Sequence, residues 1–264
     1  MKFLAARRRS PIVATMLLIG ALTVVGGGYA AIASIQPASA AVTVGAETDI
    51  EAGKKLYLEG CSSCHGLEAQ GTQTGPTLLG VGAAGVDFQV STGRMPLAAP
   101  GAQAPSRPLA LYTDKEISQM AAYIASLAPG PAIPTREQYD PANADAALGG
   151  ELFRINCSQC HQAAGQGGAL TQGKYAPNLM ESSPKTIYQA MLTGPQNMPV
   201  FSNAQLDTEA KQHIIKYITT LQESPNPGGL SLGRIGPVTE GVFLVTAVFA
   251  VLLAAAVWIG IKSR

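Results

Sequence analysis

Two long stretches of this chain show no alternation of polar and apolar positions. Pro11 to Ile35 is apolar almost throughout, with no charge from Ser10 to Ala46, and Gly241 to Ile261 is a second uncharged apolar run. At a rise of about 1.5 Å per residue, helices of this length cover roughly the 30 Å of a hydrocarbon core. Between them the pattern changes to short segments of helical period. Ile50 to Leu58 and Ala144 to Ile155 read as amphipathic helices. Ile117, Met120, Ala121, Ile124 and Leu127 follow a Thr113–Glu116 capping box at helical spacing, and Ala210, Ile214, Tyr217, Ile218 and Leu221 repeat that spacing further on. The pattern predicts an all-α fold with an apolar helix at each end.

The amphipathic helices come in two matched pairs, so the interior is an internal duplication. Tyr123-Ile124 in one copy corresponds to Tyr217-Ile218 in the other. Within each copy the stretch between the helices is rich in Gly and Pro and lacks periodicity, which suits a small domain whose core is completed by a bound group. Pro-rich connections separate the parts: Ala128-Pro129-Gly130-Pro131 to Pro134 between the copies, and Ser224-Pro225-Asn226-Pro227-Gly228-Gly229 before the last run. Such Pro-rich spacing suggests limited rather than free motion. The organisation is therefore read as an N-terminal segment (1–40), a first module (41–128), a linker (129–142), a second module (143–224), a linker (225–237) and a C-terminal helix with its tail (238–264).

Charge sharpens this picture. The formal net charge is +1, but Lys2, Arg7, Arg8 and Arg9 crowd the start while Lys262 and Arg264 close the end. The interior is mildly acidic, which makes nucleic acid an unsuitable partner. Trp258 stands near the end of the last apolar run, at the depth of an interfacial aromatic, and the basic residues after it mark a cytoplasmic end. The N-terminal arginines give the same sign, so a chain crossing twice has both termini inside and both modules outside. A cleaved signal peptide is the alternative for the first segment. Its marks are the basic start, a short apolar stretch from Ile12 to Val25, Gly26-Gly27-Gly28 and a possible cleavage site at Ala38-Ser39-Ala40. Either reading exports both modules.

The chemistry sits in two pentapeptides, Cys61-Ser62-Ser63-Cys64-His65 and Cys157-Ser158-Gln159-Cys160-His161, which use all 4 cysteines of the chain and leave none for a disulfide. Two thiols separated by two residues can each add to a haem vinyl group, with the adjacent His placed to ligate the iron. A thioredoxin-like pair does not explain the recurring His. A zinc ribbon needs its second pair about 15–20 residues on, far closer than these two motifs lie. The cofactors read from the motifs are two covalently bound haem c groups, on Cys61 and Cys64 and on Cys157 and Cys160, with His65 and His161 as axial ligands. Attachment of such a group takes place outside the cytoplasmic membrane in bacteria, which agrees with exported modules.

A second axial ligand separates electron carriers from gas-binding haems, and Met opposite His raises the reduction potential. Met95 and Met198 each precede a proline after a Thr-Gly turn, in Thr92-Gly93-Arg94-Met95-Pro96 and Thr193-Gly194-Pro195-Gln196-Asn197-Met198-Pro199. That shared context makes them the candidates, while Met120, Met180 and Met191 read as core. His213, on a polar helix position matching Gln119, reads as surface. Pro76 and Pro177, in Gly75-Pro76-Thr77-Leu78 and Ala176-Pro177-Asn178-Leu179, are candidates to accept the second ring N–H of each ligating His; a plain turn proline is the competing reading.

With CxxCH, a Pro loop, Met-Pro and a terminal helix in the same order twice, each module resembles a class I cytochrome c. Over nearly its full length the chain resembles the dihaem cytochrome c subunit of the actinobacterial cytochrome bcc (menaquinol–cytochrome c reductase) complex. That resemblance implies an electron-transfer subunit working with a cytochrome b, a Rieske iron–sulfur protein as donor and a cytochrome c oxidase as acceptor in a supercomplex in the cell membrane. Two other readings stay open at this point: a dihaem subunit serving a periplasmic dehydrogenase, and a haem enzyme or gas sensor, against which Met95 and Met198 argue. No acid–base pair, nucleophile motif or phosphate loop stands out, so no catalytic substrate site of its own is expected.

Overall fold

The computed structural model describes residues 11–33, 47–107, 111–224, 232 and 237–262. Lys2, Arg7, Arg8, Arg9, the Ala38-Ser39-Ala40 stretch, most of the 225–237 linker and Arg264 lie outside these residues. Helix α1 (Pro11–Ala33) belongs to a unit of its own, Met1–Val42, apart from Thr43–Arg264.

The first module is built from α2 (Glu47–Gly60), the single turn α3 (Ser62–His65), α4 (Gly82–Ser91) and α5 (Asp114–Leu127). The short helix α6 (Arg136–Tyr139) follows. The second module repeats the plan with α7 (Ala146–Asn156), the turn α8 (Ser158–His161), α9 (Pro184–Thr193) and α10 (Thr208–Glu223). It also carries a small antiparallel hairpin, β1 (Gly168–Ala169) and β2 (Tyr175–Ala176), pairing Gly168 with Ala176 and Ala169 with Tyr175. Two modules of one plan, almost wholly helical among the described residues, thus follow one another in the chain.

The helices begin where local chemistry satisfies their free amides. Thr113 and Glu116 form the expected capping box, with the Thr113 amide donating to Glu116 Oε2 at 2.7 Å. Asp145 caps α7 by accepting from the amides of Ala147 and Leu148, and Asp207 caps α10 through Ala210.

In each module the first and last helices cross at a glycine. A Cβ on Gly53 would stand 1.9 Å from the Gln119 carbonyl oxygen, and one on Gly149 would stand 1.8 Å from that of His213. Only a hydrogen side chain permits that approach. Near each crossing an aromatic pair packs: Tyr57 with Tyr123, and Phe153 with Tyr217, both at 5.4 Å between ring centres. Tyr57, Ile117, Met120 and Ile124 are buried in the first core, and Phe153, Met191, Ile214, Ile215 and Ile218 in the second.

Helix α11 (Pro237–Lys262) is different in kind. Its stretch Thr239–Ile261 is long and apolar enough to cross a membrane, and none of it is buried against the protein.

Gly149→Ala should lower the midpoint of thermal unfolding of the purified protein, because forcing a methyl group against a backbone carbonyl costs about 1–3 kcal/mol. Gly101, whose added Cβ would make only one ordinary contact at 3.8 Å, is the comparison site. Equal melting of Gly149→Ala and Gly101→Ala by circular dichroism would contradict the crossing.

Candidate cofactor clefts

Each CxxCH motif is one helical turn set directly on the end of the module's first helix. The Cys61 amide donates to the Tyr57 carbonyl at 2.8 Å, and the Cys64 and His65 amides both return to the Cys61 carbonyl, at 3.2 and 3.0 Å. The second motif repeats this: Cys157 to Phe153 at 2.8 Å, then Cys160 and His161 to Cys157 at 3.1 and 2.9 Å. A helical turn brings residues three and four apart to one face, so each pair of thiols and its imidazole are presented together. Burial, then the neighbouring thiol, pushes Cys61 up to about 11 and Cys157 up to about 12, which keeps the free thiols neutral.

The two histidines are buried and held alike. Nδ1 of His65 lies 2.7 Å from the Pro76 carbonyl oxygen, and Nδ1 of His161 lies 3.0 Å from that of Pro177. A carbonyl only accepts, so Nδ1 carries a proton, and in the neutral tautomer that leaves the lone pair on Nε2. The prolines expected to take this bond do so. Burial also pulls the pKa of His161 below its usual range, against the opposing pull of the Pro177 carbonyl, favouring the neutral ring.

The methionines are placed by the next loop. Met95 packs at the edge of the first core together with Cys61 and Leu78; Met198 packs at the edge of the second with Cys157 and Leu179. In the second module these groups meet in one cleft with about 1070 Å³ of open space, counting its solvent-facing mouth. Cys157, Cys160, His161 and Met198 line it among apolar walls that include Leu179, Ile187, Met191 and Ile218.

Three features of these sites were not legible in the periodicity. Lys211 is fully buried on α10, at the position Ile117 holds in the first module, and burial depresses its pKa. Its Nζ donates to Asn203 Oδ1 at 2.9 Å and to the Leu206 carbonyl at 2.5 Å, which pins the loop after Met198. His213, expected on the surface, is only 12% exposed in its side chain. Its Nδ1 accepts from the Asp145 amide at 2.8 Å, which ties α10 to the start of α7. Gln119, its counterpart, makes a matching tie to Asp49 at 2.9 Å.

The third feature is that the modules touch next to the second cleft. Asp87 of α4, buried, receives Lys185 Nζ at 2.7 Å and Gln189 Nε2 at 2.5 Å, both from α9. Gln103 pairs with the backbone of Tyr175, and Gln196 Nε2 donates to the Ala104 carbonyl at 3.3 Å. The linker is packed too, since the Ala84 amide donates to the Pro131 carbonyl at 3.0 Å.

Comparison with known proteins agrees with this architecture. Residues 50–128 match the family described as cytochrome c, and residues 144–218 match that described as cytochrome C oxidase, cbb3-type, subunit III. A protein of Corynebacterium efficiens named cytochrome bc1 complex cytochrome c subunit is 47% identical over 231 residues, covering 81% of this chain and 77% of that one. Its Corynebacterium diphtheriae namesake is 44% identical, covering 81% of each chain. The Mycobacterium bovis protein of the same name is 42% identical over 254 residues, covering 94% of this chain and 90% of that one.

Replacing Lys211 by Met removes the amine that pins Leu206 and Asn203 and should cost about 1–3 kcal/mol through the buried Leu206 carbonyl left without that donor. Hydrogen exchange should then accelerate at residues 199–207 while residues 96–107 stay unchanged. Unaltered exchange in 199–207 would show that the loop is held by its other contacts.

Proposed function

This chain belongs to the family of cytochrome bc1 complex cytochrome c subunits, and on that premise we propose that it is a membrane-anchored dihaem cytochrome carrying electrons from a Rieske iron–sulfur protein to cytochrome c oxidase. The working assembly is a quinol-oxidising complex containing a cytochrome b, joined to the oxidase in a supercomplex. Membership in an electron-transferring bc1-type complex is the family's own; the donor, the acceptor and their order are our reading.

The observation that carries it is the twice-built CxxCH turn with its His fixed on a proline carbonyl. The residues fit haem c: two thiols on one face, an imidazole whose Nδ1 is tied to a carbonyl, a thioether at the core's edge and, in the second module, an apolar-walled cleft. Cys61 and Cys64 would hold one group covalently, with His65 and Met95 on its iron; Cys157, Cys160, His161 and Met198 would hold the other. Bound there, each haem supplies a one-electron iron couple. The chain supplies the rest. The Pro76 and Pro177 carbonyls keep each Nε2 aimed and basic, the apolar walls exclude water, and the thioethers favour the reduced state.

Helices α1 and α11 would anchor the chain, with both haem domains on the outer face and both termini cytoplasmic, as the flanking basic residues favour. A mature chain beginning at Ala41 would instead leave α11 as the anchor.

Cys157→Ala combined with Cys160→Ala should halve the covalent haem per chain on a stained denaturing gel; an unchanged ratio removes the assignment. Met95→Leu or Met198→Leu should each abolish half of the thioether–iron absorption band at the red edge of the spectrum. Mild-detergent purification should recover cytochrome b, the Rieske protein and oxidase subunits. Loss of either haem should stop quinol-driven oxygen reduction while the oxidase still accepts artificial donors. Recovery with a periplasmic dehydrogenase and no cytochrome b would overturn the proposed route.

A further inference from the structure

The first module reaches into the second module's cleft. Phe88, Arg94 and Gln103 line it alongside His161 and Met198. Gln103 is fixed there by two bonds to one residue, donating from Nε2 to the Tyr175 carbonyl and accepting at Oε1 from the Tyr175 amide, each at 2.7 Å. The guanidinium carbon of Arg94 lies 4.8 Å from the centre of the Phe88 ring. The side chain is half-buried. A guanidinium stays protonated in proteins, so its partial desolvation calls for an anion. Among the described residues no carboxylate lies within ion-pair distance of Arg94.

We propose that Arg94 is a positioning residue for the haem of the other module: its guanidinium pairs with a propionate of the group held by Cys157, Cys160 and His161, and its charge raises that iron's reduction potential. The inference rests on the haem reading above. Haem brings two carboxylates, the anion class that a planar guanidinium binds in bidentate fashion. Reduction adds one electron to the iron and removes one positive charge, so a fixed cation nearby favours the reduced state. In a half-buried wall this interaction is screened less than it would be in open water. Because Arg94 immediately precedes Met95, one short segment would touch both haem sites.

The test is a potentiometric titration of the full-length, detergent-purified protein, with the two haems fitted as separate one-electron components. Met198→Leu identifies which component belongs to the second module. Arg94→Gln should lower that same component, so that at its wild-type midpoint the ratio of reduced to oxidised haem falls about tenfold, or about 59 mV. Arg94→Lys should restore most of the difference. Gln103→Glu, which sets a carboxylate into the same wall, should lower the same component and carries the test if Arg94→Gln does not accumulate. Unchanged potentials in these variants, or a shift confined to the other component, overturn the proposal. A haemochrome assay on the wild type separates the two levels, since any count other than two haems per chain overturns the haem reading itself.

Discussion

The approach of each module's first helix to its last, closer than any side chain would allow, fixes the placement of the candidate ligands. At Gly53 and Gly149 the backbones nearly touch. The aromatic pair packed near each crossing then sets the rotation of the first helix, whose end becomes the CxxCH turn. A tyrosine hydroxyl from this pair continues the chain of constraint. Tyr57 donates to the Gly66 carbonyl at 2.6 Å in the first module, and Tyr217 donates to the Ala163 carbonyl at 3.0 Å in the second. The hydroxyl sits on opposite helices in the two copies but fixes the same stretch, the residues just after the histidine. Backbone position is therefore determined on both sides of each imidazole, and the proline carbonyl fixes its ring.

What the two copies do not share is what joins them. The first module has the longer loop between its methionine and its last helix, and that loop carries Gln103 and Ala104. The second has the longer loop between its histidine and its proline, and that loop folds into the β1–β2 hairpin bearing Tyr175. The two insertions meet, with a side-chain amide completing an edge of the hairpin as a strand would. Seen as departures from a repeat, these loops look like unconstrained length; seen in space, they are the interface and one wall of a cleft.

The motifs that bring the candidate ligands together were legible because they depend on local spacing. CxxCH, Met-Pro and the Pro loop are each a few residues long, and duplication made each reading a check on the other. The capping box and the periodic helix faces were legible for the same reason. Contacts between distant segments were not. A glycine within a helix pattern reads as a weak point until a facing backbone occupies the space of its side chain, although Gly53 and Gly149 do recur at the same place in both copies. Lys211 reads as a polar position because a lysine on a helix normally faces water; here Leu206 and Asn203 supply acceptors that the sequence does not announce. His213 was misjudged in the same way, since its partner is the Asp145 amide on another helix.

The interface between the modules buries Asp87 against Lys185 and Gln189. Such an arrangement adds little net stability, because desolvating the carboxylate offsets most of the attraction. It does penalise misplacement. A slip of α9 along α4 by one turn would leave a buried carboxylate without its cation, at a cost of several kcal/mol, whereas a purely apolar contact would tolerate the slip with modest repacking. Register, more than affinity, is what this pair enforces, while the Pro131 carbonyl, bonded to the Ala84 amide, ties the linker to the first module. For a chain proposed to pass single electrons between two fixed sites, register is the quantity that matters, since the transfer depends on a separation that must not drift.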